Sequence, residues 1–445
     1  MTNTINSQIK SIILAAGKGT RMKSETPKVL HKIFNKELLG YVIDAVNGTG
    51  MAQENYVIVG HCADEVENYV TKNYDNAKCR LQSPQLGTGH AAFQAYEDLK
   101  GFEGQVLILC GDTPLLTAET LNKFISAHTQ SQSALTVMSA IFEDPTNYGR
   151  IVRDENGNLK AIVEEKDASD AQKKIKEINT GVYLLDWPKV HEAFLNLDSN
   201  NAQNEYYLTD IVKWTISKGL KAQSYILENN EESYGINSKK NLAQATKILK
   251  DRVNDKLLAD GVTIIDPDTT YISPETEIAA DTIIYPCTYI EGKNKIGKDC
   301  KIGPFARLRG DVELGEGVKI GNFVEIKKTK IKDHTNVCHL SYIGDSSLGS
   351  NVNIGAGTIT ANYNHITKEK FNTVIDDNAS TGSNSVIVAP AHIGENASVG
   401  AGSVISKDIE ANALGLTRAP LKILKGWFDR IKKSVSYTHL TLPTI

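Results

Sequence analysis

From Ile272 onward an aliphatic residue falls at every sixth position: Ile272, Ile278, Ile284, Ile290, Ile296, Ile302, Leu308, Leu314, Ile320 and Ile326. Helical faces recur every 3.6 residues and strand faces every 2, so neither alone produces a beat of six. The beat predicts a solenoid of short strands and turns, each strand sending one aliphatic side chain into a shared core, as in hexapeptide β-helices. Glycines stand beside the ladder at Gly297, Gly303, Gly315 and Gly321, where corners are tight. The ladder continues less strictly through Val337, Ile343, Ile354, Ile375, Ile387, Ile393, Val399 and Ile405. The stretch 361–372 (ANYNHITKEKFN) interrupts it, polar and too long for a corner, and is expected to project as a loop.

The first 235 residues have another rhythm. Apolar runs at 11–16, 56–59 and 106–109, bounded by glycines, predict buried strands of a largely parallel sheet. Helical patterns between them, at Leu38 to Val46 and Ala91 to Leu99, make an α/β layer fold. Leu242, Ala245, Leu249, Val253 and Leu257 recur at helical steps and Gly261 follows, so 236–260 reads as a helix linking two cores. The expected organisation is an α/β domain over 1–235, this linker, a solenoid over 261–433 with a short basic helix within 420–433, and an unassigned tail over 434–445.

Composition narrows the function classes. At 445 residues with 40% hydrophobic and 23% charged content, the chain reads as an ordinary soluble protein. A net charge of -4 gives no reason to expect nucleic acid, no apolar run reaches membrane-spanning length, and MTNTINSQIK lacks the pattern of a secretory signal. A cytoplasmic protein is expected. Cys62, Cys79, Cys110, Cys287, Cys300 and Cys338 include no CxxC pair, which points to free thiols rather than to disulfides or zinc. His334, Cys338 and His339 are too few, at the wrong spacing, for a structural metal site.

The candidate chemistry begins after the first strand, at LAAGKGTRM (14–22) and PKVL (27–30). A strand emptying into a glycine-rich turn exposes backbone N–H groups, and Lys18, Arg21 and Lys28 add positive charge, together making a phosphate cradle. Neither GxxxxGK[ST] nor a complete GxGxxG is present, since Met22 stands where the last glycine would be. The stretch from Gln82 through Gln85, Gly87 and Thr88 to His90 offers amides able to read a base edge. Cys110-Gly111-Asp112 closes a strand at its carboxyl end, where open α/β sheets bind ligands. Asp112 is therefore a candidate for Mg²⁺, which favours one or two carboxylates plus substrate phosphates.

These motifs, with YGRIV (148–152), IVEEKDA (162–168), INTGVY (178–183), YGIN (234–237) and the solenoid, resemble the bifunctional UDP-N-acetylglucosamine pyrophosphorylase/glucosamine-1-phosphate N-acetyltransferase family up to about Arg418. The resemblance implies a nucleotidyltransferase domain followed by a left-handed parallel β-helix, and a homotrimer. It implies a pyrophosphorylase site in which Leu14, Ala15, Ala16, Gly17, Arg21 and Lys28 hold the nucleotide phosphates. Gln82, Gly87 and Thr88 would read uracil, Gly149, Glu164 and Asn179 would hold the sugar, and Asp112 and Asn237 would bind Mg²⁺. Cys110 departs from the family, which has tyrosine there.

In the solenoid the resemblance makes His339, in CHLSY (338–342), the general base toward acetyl-CoA, with Glu325 orienting it. Imidazole, with an ordinary pKa of about 6.5, suits that task. Arg309, Lys327, Tyr342, Asn353 and Lys370 would bind the sugar phosphate, and Ala356, Asn362, Tyr363, Ser383, Ala401 and Arg418 acetyl-CoA. The 361–372 loop is about two residues longer than the family pattern, which leaves Lys368 as the rival to Lys370. The implied activity makes UDP-N-acetylglucosamine, a bacterial cell-wall precursor, from glucosamine-1-phosphate, by way of N-acetylglucosamine-1-phosphate, and from UTP and acetyl-CoA. The rival readings are a monofunctional nucleotidyltransferase whose solenoid only oligomerises it, and a catalytically silent regulatory subunit.

Overall fold

The computed structural model describes residues 8–434 and divides into two compact units between Asp255 and Lys256. The unassigned tail lies outside the described residues except for Ser434.

In the first unit the sheet runs Ala222–Ile226, Leu135–Ile141, Glu177–Asp186, Gln105–Cys110, Ile9–Leu14, Ala52–Val59, Ala77–Leu81. Glu177–Asp186 is antiparallel to both its neighbours, and the other pairs on this path are parallel. Period-two alternation sends Ile13, Val57, Leu107 and Leu109 to one face, against Val42 and Ile43 of helix Leu38–Asn47 and Phe124 of helix Ala118–Ser131. Ile12, Tyr56, Ile58 and Ile108 go to the other, against Ala91, Ala92, Ile211 and Val212. Both faces are covered, which is why these strands read as unbroken apolar runs.

The helix expected over Ala91 to Leu99 is two pieces, Thr88–Phe93 and a 3-10 turn at Glu97–Leu99. Gln94 takes the His90 carbonyl with its side-chain amide (2.9 Å), while its own N–H turns back three residues to Ala91. The connecting helix spans Lys239–Ala259, and Gly261 follows with φ +92. Ala245 and Leu249 are buried with Met22, Leu38, Leu115 and Ile236, so the start of this helix belongs to the first unit's core. The basic helix is confined to Trp427–Ser434, because Gly426 at φ +67 turns the chain before it.

The second unit is a parallel β-helix. Strands pair only with strands one coil away, eighteen residues apart over most of the ladder, as in Ile284, Ile302 and Ile320. The step shortens to seventeen at Ile320 to Val337 and stretches to twenty-seven at Ile354 to Thr381, where the 361–372 loop is inserted. Every ladder residue from Ile272 to Ile326 is at most 4% exposed except Ile278, which is half-buried. The loop is a small hairpin, with Tyr363 bridged to Lys370 and Phe371 N–H donating to Asn362 O (2.9 Å).

Each ladder side chain fills a core that cannot collapse around a void. Ile302→Ala is expected to lower the unfolding free energy of the solenoid by about 2–5 kcal/mol in urea titrations, and Ile278→Ala by clearly less. Equal losses at the two positions would contradict this account of the core.

Candidate functional site

Leu14 and Cys110 are paired in adjacent parallel strands, so two strand ends open at one level. The cleft there encloses about 410 Å³. It is lined by the Leu14-Ala15-Ala16-Gly17 turn with Lys18, Lys28, Cys110 and Asp112. Gln82, Gln85, Gly87 and Thr88 form a further wall. Buried Gln82 donates its amide to Gly87 O (2.9 Å), and Thr88 Oγ1 accepts from Leu208 N–H (3.1 Å). Gly87 has φ +110, and a Cβ there would lie 2.7 Å from Tyr206 O, so the wall admits only glycine.

Lys28 is the electrostatic centre of this cleft. Its ammonium is ion-paired with the Asp112 carboxylate and donates to Asn237 Oδ1 at 3.2 Å. Asp112 and Asn237 therefore direct two hard oxygen donors at one cation. Among the described residues no cluster of three or more His, Cys, Asp or Glu could hold a metal. Two protein oxygens suit Mg²⁺ nonetheless, since that ion takes its remaining ligands from water and phosphate.

Gly19 sits directly against Lys28. Its φ is +58, and a Cβ added there would lie 2.7 Å from Lys28 Cβ. Arg21, by contrast, is exposed on the 3-10 turn Thr20–Met22 and does not line the cleft.

The sugar-binding candidates gather at one end. A Cβ on Gly149 would lie 3.4 Å from Glu164 Oε1, and Asn179 N–H donates to Gly149 O (2.8 Å). Asn179 Nδ2 reaches the Tyr183 hydroxyl at 2.8 Å. Burial pushes the Glu164 carboxyl above its ordinary range, against the opposing pull of the Thr209 hydroxyl. Cys110 Sγ would be 2.9 Å from a Cβ on Gly181, so the thiol packs directly against that glycine. Burial pushes that thiol up to about 12, leaving it protonated. Glu205, which also lines the cleft, was missed, since nothing in NEYYLTD (204–210) marks it as a site residue.

In the solenoid, His339 is exposed at the end of strand Asn336–His339, beside Asn322 of the coil below. Hydrogen bonds run up one corner from there. Gly357 N–H donates to His339 O (3.1 Å), Asn384 N–H to Ala356 O (2.7 Å) and Gly402 N–H to Ser383 O (2.8 Å). Ala356, Ser383 and Ala401 thus occupy the His339 position in successive coils, and all are small. Arg418 is exposed beyond this column, next to Thr417, whose N–H donates to Ser403 Oγ (3.2 Å). Asn353 lies on the same face, paired with Asn336 and Ser380.

A cationic group forms around the next corner. Arg309 and Lys327 occupy one column in adjacent coils, above which comes Gly344 with the Tyr342 hydroxyl beside it. Lys370, rather than Lys368, reaches this column. Its ammonium, followed by burial, holds Lys327 below the ordinary lysine range. Asp345, unremarked in the sequence although it follows CHLSY by only three residues, ties down both Lys370 (3.8 Å) and the Asn362 carboxamide. Tyr363 is 52% exposed on the loop. Glu325, expected to orient His339, accepts from Arg309 Nη1 (2.9 Å), which reaches it diagonally, since its own ladder partners are Arg307 and Tyr342.

Gly19→Ala is expected to displace Lys28 and to weaken nucleoside triphosphate binding about tenfold by titration calorimetry, on top of about 1–2 kcal/mol of left-handed backbone strain. Undiminished affinity would show that this contact does not position Lys28.

A family model described as nucleotidyl transferase matches residues 10–258, and one described as bacterial transferase hexapeptide (six repeats) matches 295–328 and 372–407. The chain is 44% identical to the bifunctional protein GlmU of Caldanaerobacter subterraneus subsp. tengcongensis, across 96% of this chain and 99% of that protein. It is 43% identical to the GlmU of Syntrophotalea carbinolica, across 94% and 97%, and 41% identical to that of Bacillus subtilis, across 92% and 96%. With a nucleotidyl transferase unit, a hexapeptide solenoid and this likeness along nearly its whole length, the chain belongs to the GlmU family of bifunctional proteins.

Proposed function

We propose that the chain makes UDP-N-acetylglucosamine in two steps, acetylating glucosamine-1-phosphate in the solenoid and then uridylylating N-acetylglucosamine-1-phosphate in the α/β unit. One observation carries the reading: an exposed histidine stands at the foot of a corner lined by small residues and next to a cationic group, in a chain that also has a phosphate-type cleft. Ala356, Ser383 and Ala401 leave room for the thin arm of acetyl-CoA, with Asn362, Tyr363 and Arg418 flanking it. Arg309, Lys327 and Lys370 hold the sugar phosphate, with Tyr342 and Asn353 contributing polar contacts. Lys327 and Lys370 repel each other, and a bound phosphate dianion relieves that repulsion.

His339 takes a proton from the glucosamine amine as the nitrogen attacks the thioester carbonyl, then gives it to the departing CoA sulfur. In the other unit a phosphate oxygen of the sugar attacks the α-phosphorus of UTP, and pyrophosphate leaves. No protein nucleophile is needed. Lys28 neutralises phosphate charge, Arg21 adds its field from outside the cleft, and Gln82, Gly87 and Thr88 position the base. Gly149, Glu164 and Asn179 orient the sugar. Asp112 and Asn237 would hold Mg²⁺, which when bound neutralises charge on the phosphates.

A homotrimer fits the solenoid's exposed apolar corner, where Phe305 and Phe323 stack at 5.2 Å and Leu340 is 63% exposed. Cytoplasmic residence fits these substrates, and no described helix is long and apolar enough to cross a membrane. A merely structural solenoid or a silent regulatory subunit would have no use for a second lysine held close enough to depress the protonation of Lys327, in the column of Arg309.

Separate assays of CoA release and pyrophosphate release test the two halves. His339→Ala is expected to lower CoA release by about 10²–10⁴-fold and leave pyrophosphate release intact. Asp112→Ala is expected to do the reverse, by about 10²-fold or more. An unaffected activity in either case removes that residue from its role. Lys370→Ala is expected to raise KM for glucosamine-1-phosphate about tenfold, while Lys368→Ala leaves it unchanged. The opposite ranking would move the phosphate contact to Lys368.

A further inference from the structure

Asn322 occupies the same corner position as His339, one coil below it, and the two are direct partners in the parallel ladder. Ladder partners send their side chains the same way from strands about 4.8 Å apart. The coils are close here. Leu340 N–H donates to Asn322 O at 3.0 Å, and a Cβ on Gly321 would lie only 2.1 Å from Cys338 O. Asn322 Oδ1 is buried without a hydrogen-bond partner, a state that is unfavourable unless something relieves it. Above His339 the column holds only the small side chains of Ala356, Ser383 and Ala401, so Asn322 is the polar neighbour on its own corner.

We propose that Asn322 is a positioning residue for His339, its side-chain oxygen accepting a hydrogen bond from the imidazole N–H that faces away from the reacting amine. That bond fixes the tautomer in which the other ring nitrogen is free to take the amine proton, and it satisfies the buried oxygen. The inference rests on His339 being the acetyl-transfer base.

The flanking elements bring few rival charges. Lys319 stands at the far end of the strand below, and Cys338 is the chain neighbour, its thiol raised by burial. Around the corner are Tyr342, Glu325, which is held by Arg309, and the Lys327–Lys370 pair. The strand above presents Asn353 and no charge.

The test measures CoA release against pH for full-length Asn322→Ala and Asn322→Asp, with pyrophosphate release from the same preparations as the folding control. Asn322→Ala is expected to lower kcat about tenfold with KM for glucosamine-1-phosphate unchanged, and to move the acid limb of the profile to lower pH. Asn322→Asp is expected to recover much of kcat and move that limb to higher pH, because a carboxylate favours imidazolium. The inference is overturned if both variants keep the parent's acid limb, whatever happens to kcat, because a purely structural loss would not move it. His339→Ala separates the two claims. If it retains full CoA release, the base assignment itself fails, whereas its loss alongside an unshifted Asn322 pair refutes only the positioning role.

Discussion

The coil-to-coil hydrogen bond of the solenoid is the constraint on which its chemistry depends. The strand N–H groups are largely committed to carbonyls one coil away, so a residue's lateral neighbours are set by register and not by its neighbours in sequence. Side chains that share a position stack into columns. One column is lined by small members, and another gathers positive charge because Arg309 and Lys327 share it. A change in one coil alters a column at a single point.

The α/β unit reaches a site by another route. Alternation buries both faces of its sheet, leaving the carboxyl ends of the strands as the place where backbone N–H groups and side chains are free. Lys28 then decides the electrostatics. Its charge is paired with the Asp112 carboxylate while Asn237 accepts a hydrogen bond from it, whereas Lys327 and Lys370 stand together beside Asp345. The first arrangement is complete without a ligand. The second keeps two like charges side by side.

The ladder was legible because burial enforces it residue by residue, and the predicted strands were legible because both faces of the sheet are covered. The glycine-rich turn was also plain, since its chemistry lies in consecutive residues. Legibility failed where contacts join distant segments. Glu205 enters the nucleotide cleft, and Asp345 anchors a lysine twenty-five residues on, with no local pattern to announce either. Arg21 belongs to the same motif, yet it is exposed on the turn that follows left-handed Gly19, a placement the motif does not announce. The bond from Arg309 to Glu325 was equally illegible, because only the register of the coils brings the two side chains together. The helix after Thr88 broke early for a reason equally invisible to periodicity, a side-chain amide capturing a backbone carbonyl.

The hairpin at 361–372 enters and leaves between coils without disturbing either, since Ile354 still pairs with Thr381 and Ser346 with Thr373. Lys370 sits on its returning limb, beside the Phe371 to Asn362 bond that closes the base. Residues gained or lost at the tip therefore do not translate the ammonium along the groove. Loop length and phosphate geometry can drift apart in evolution, and relatives with tips of different size can place a lysine at the same height above the same column.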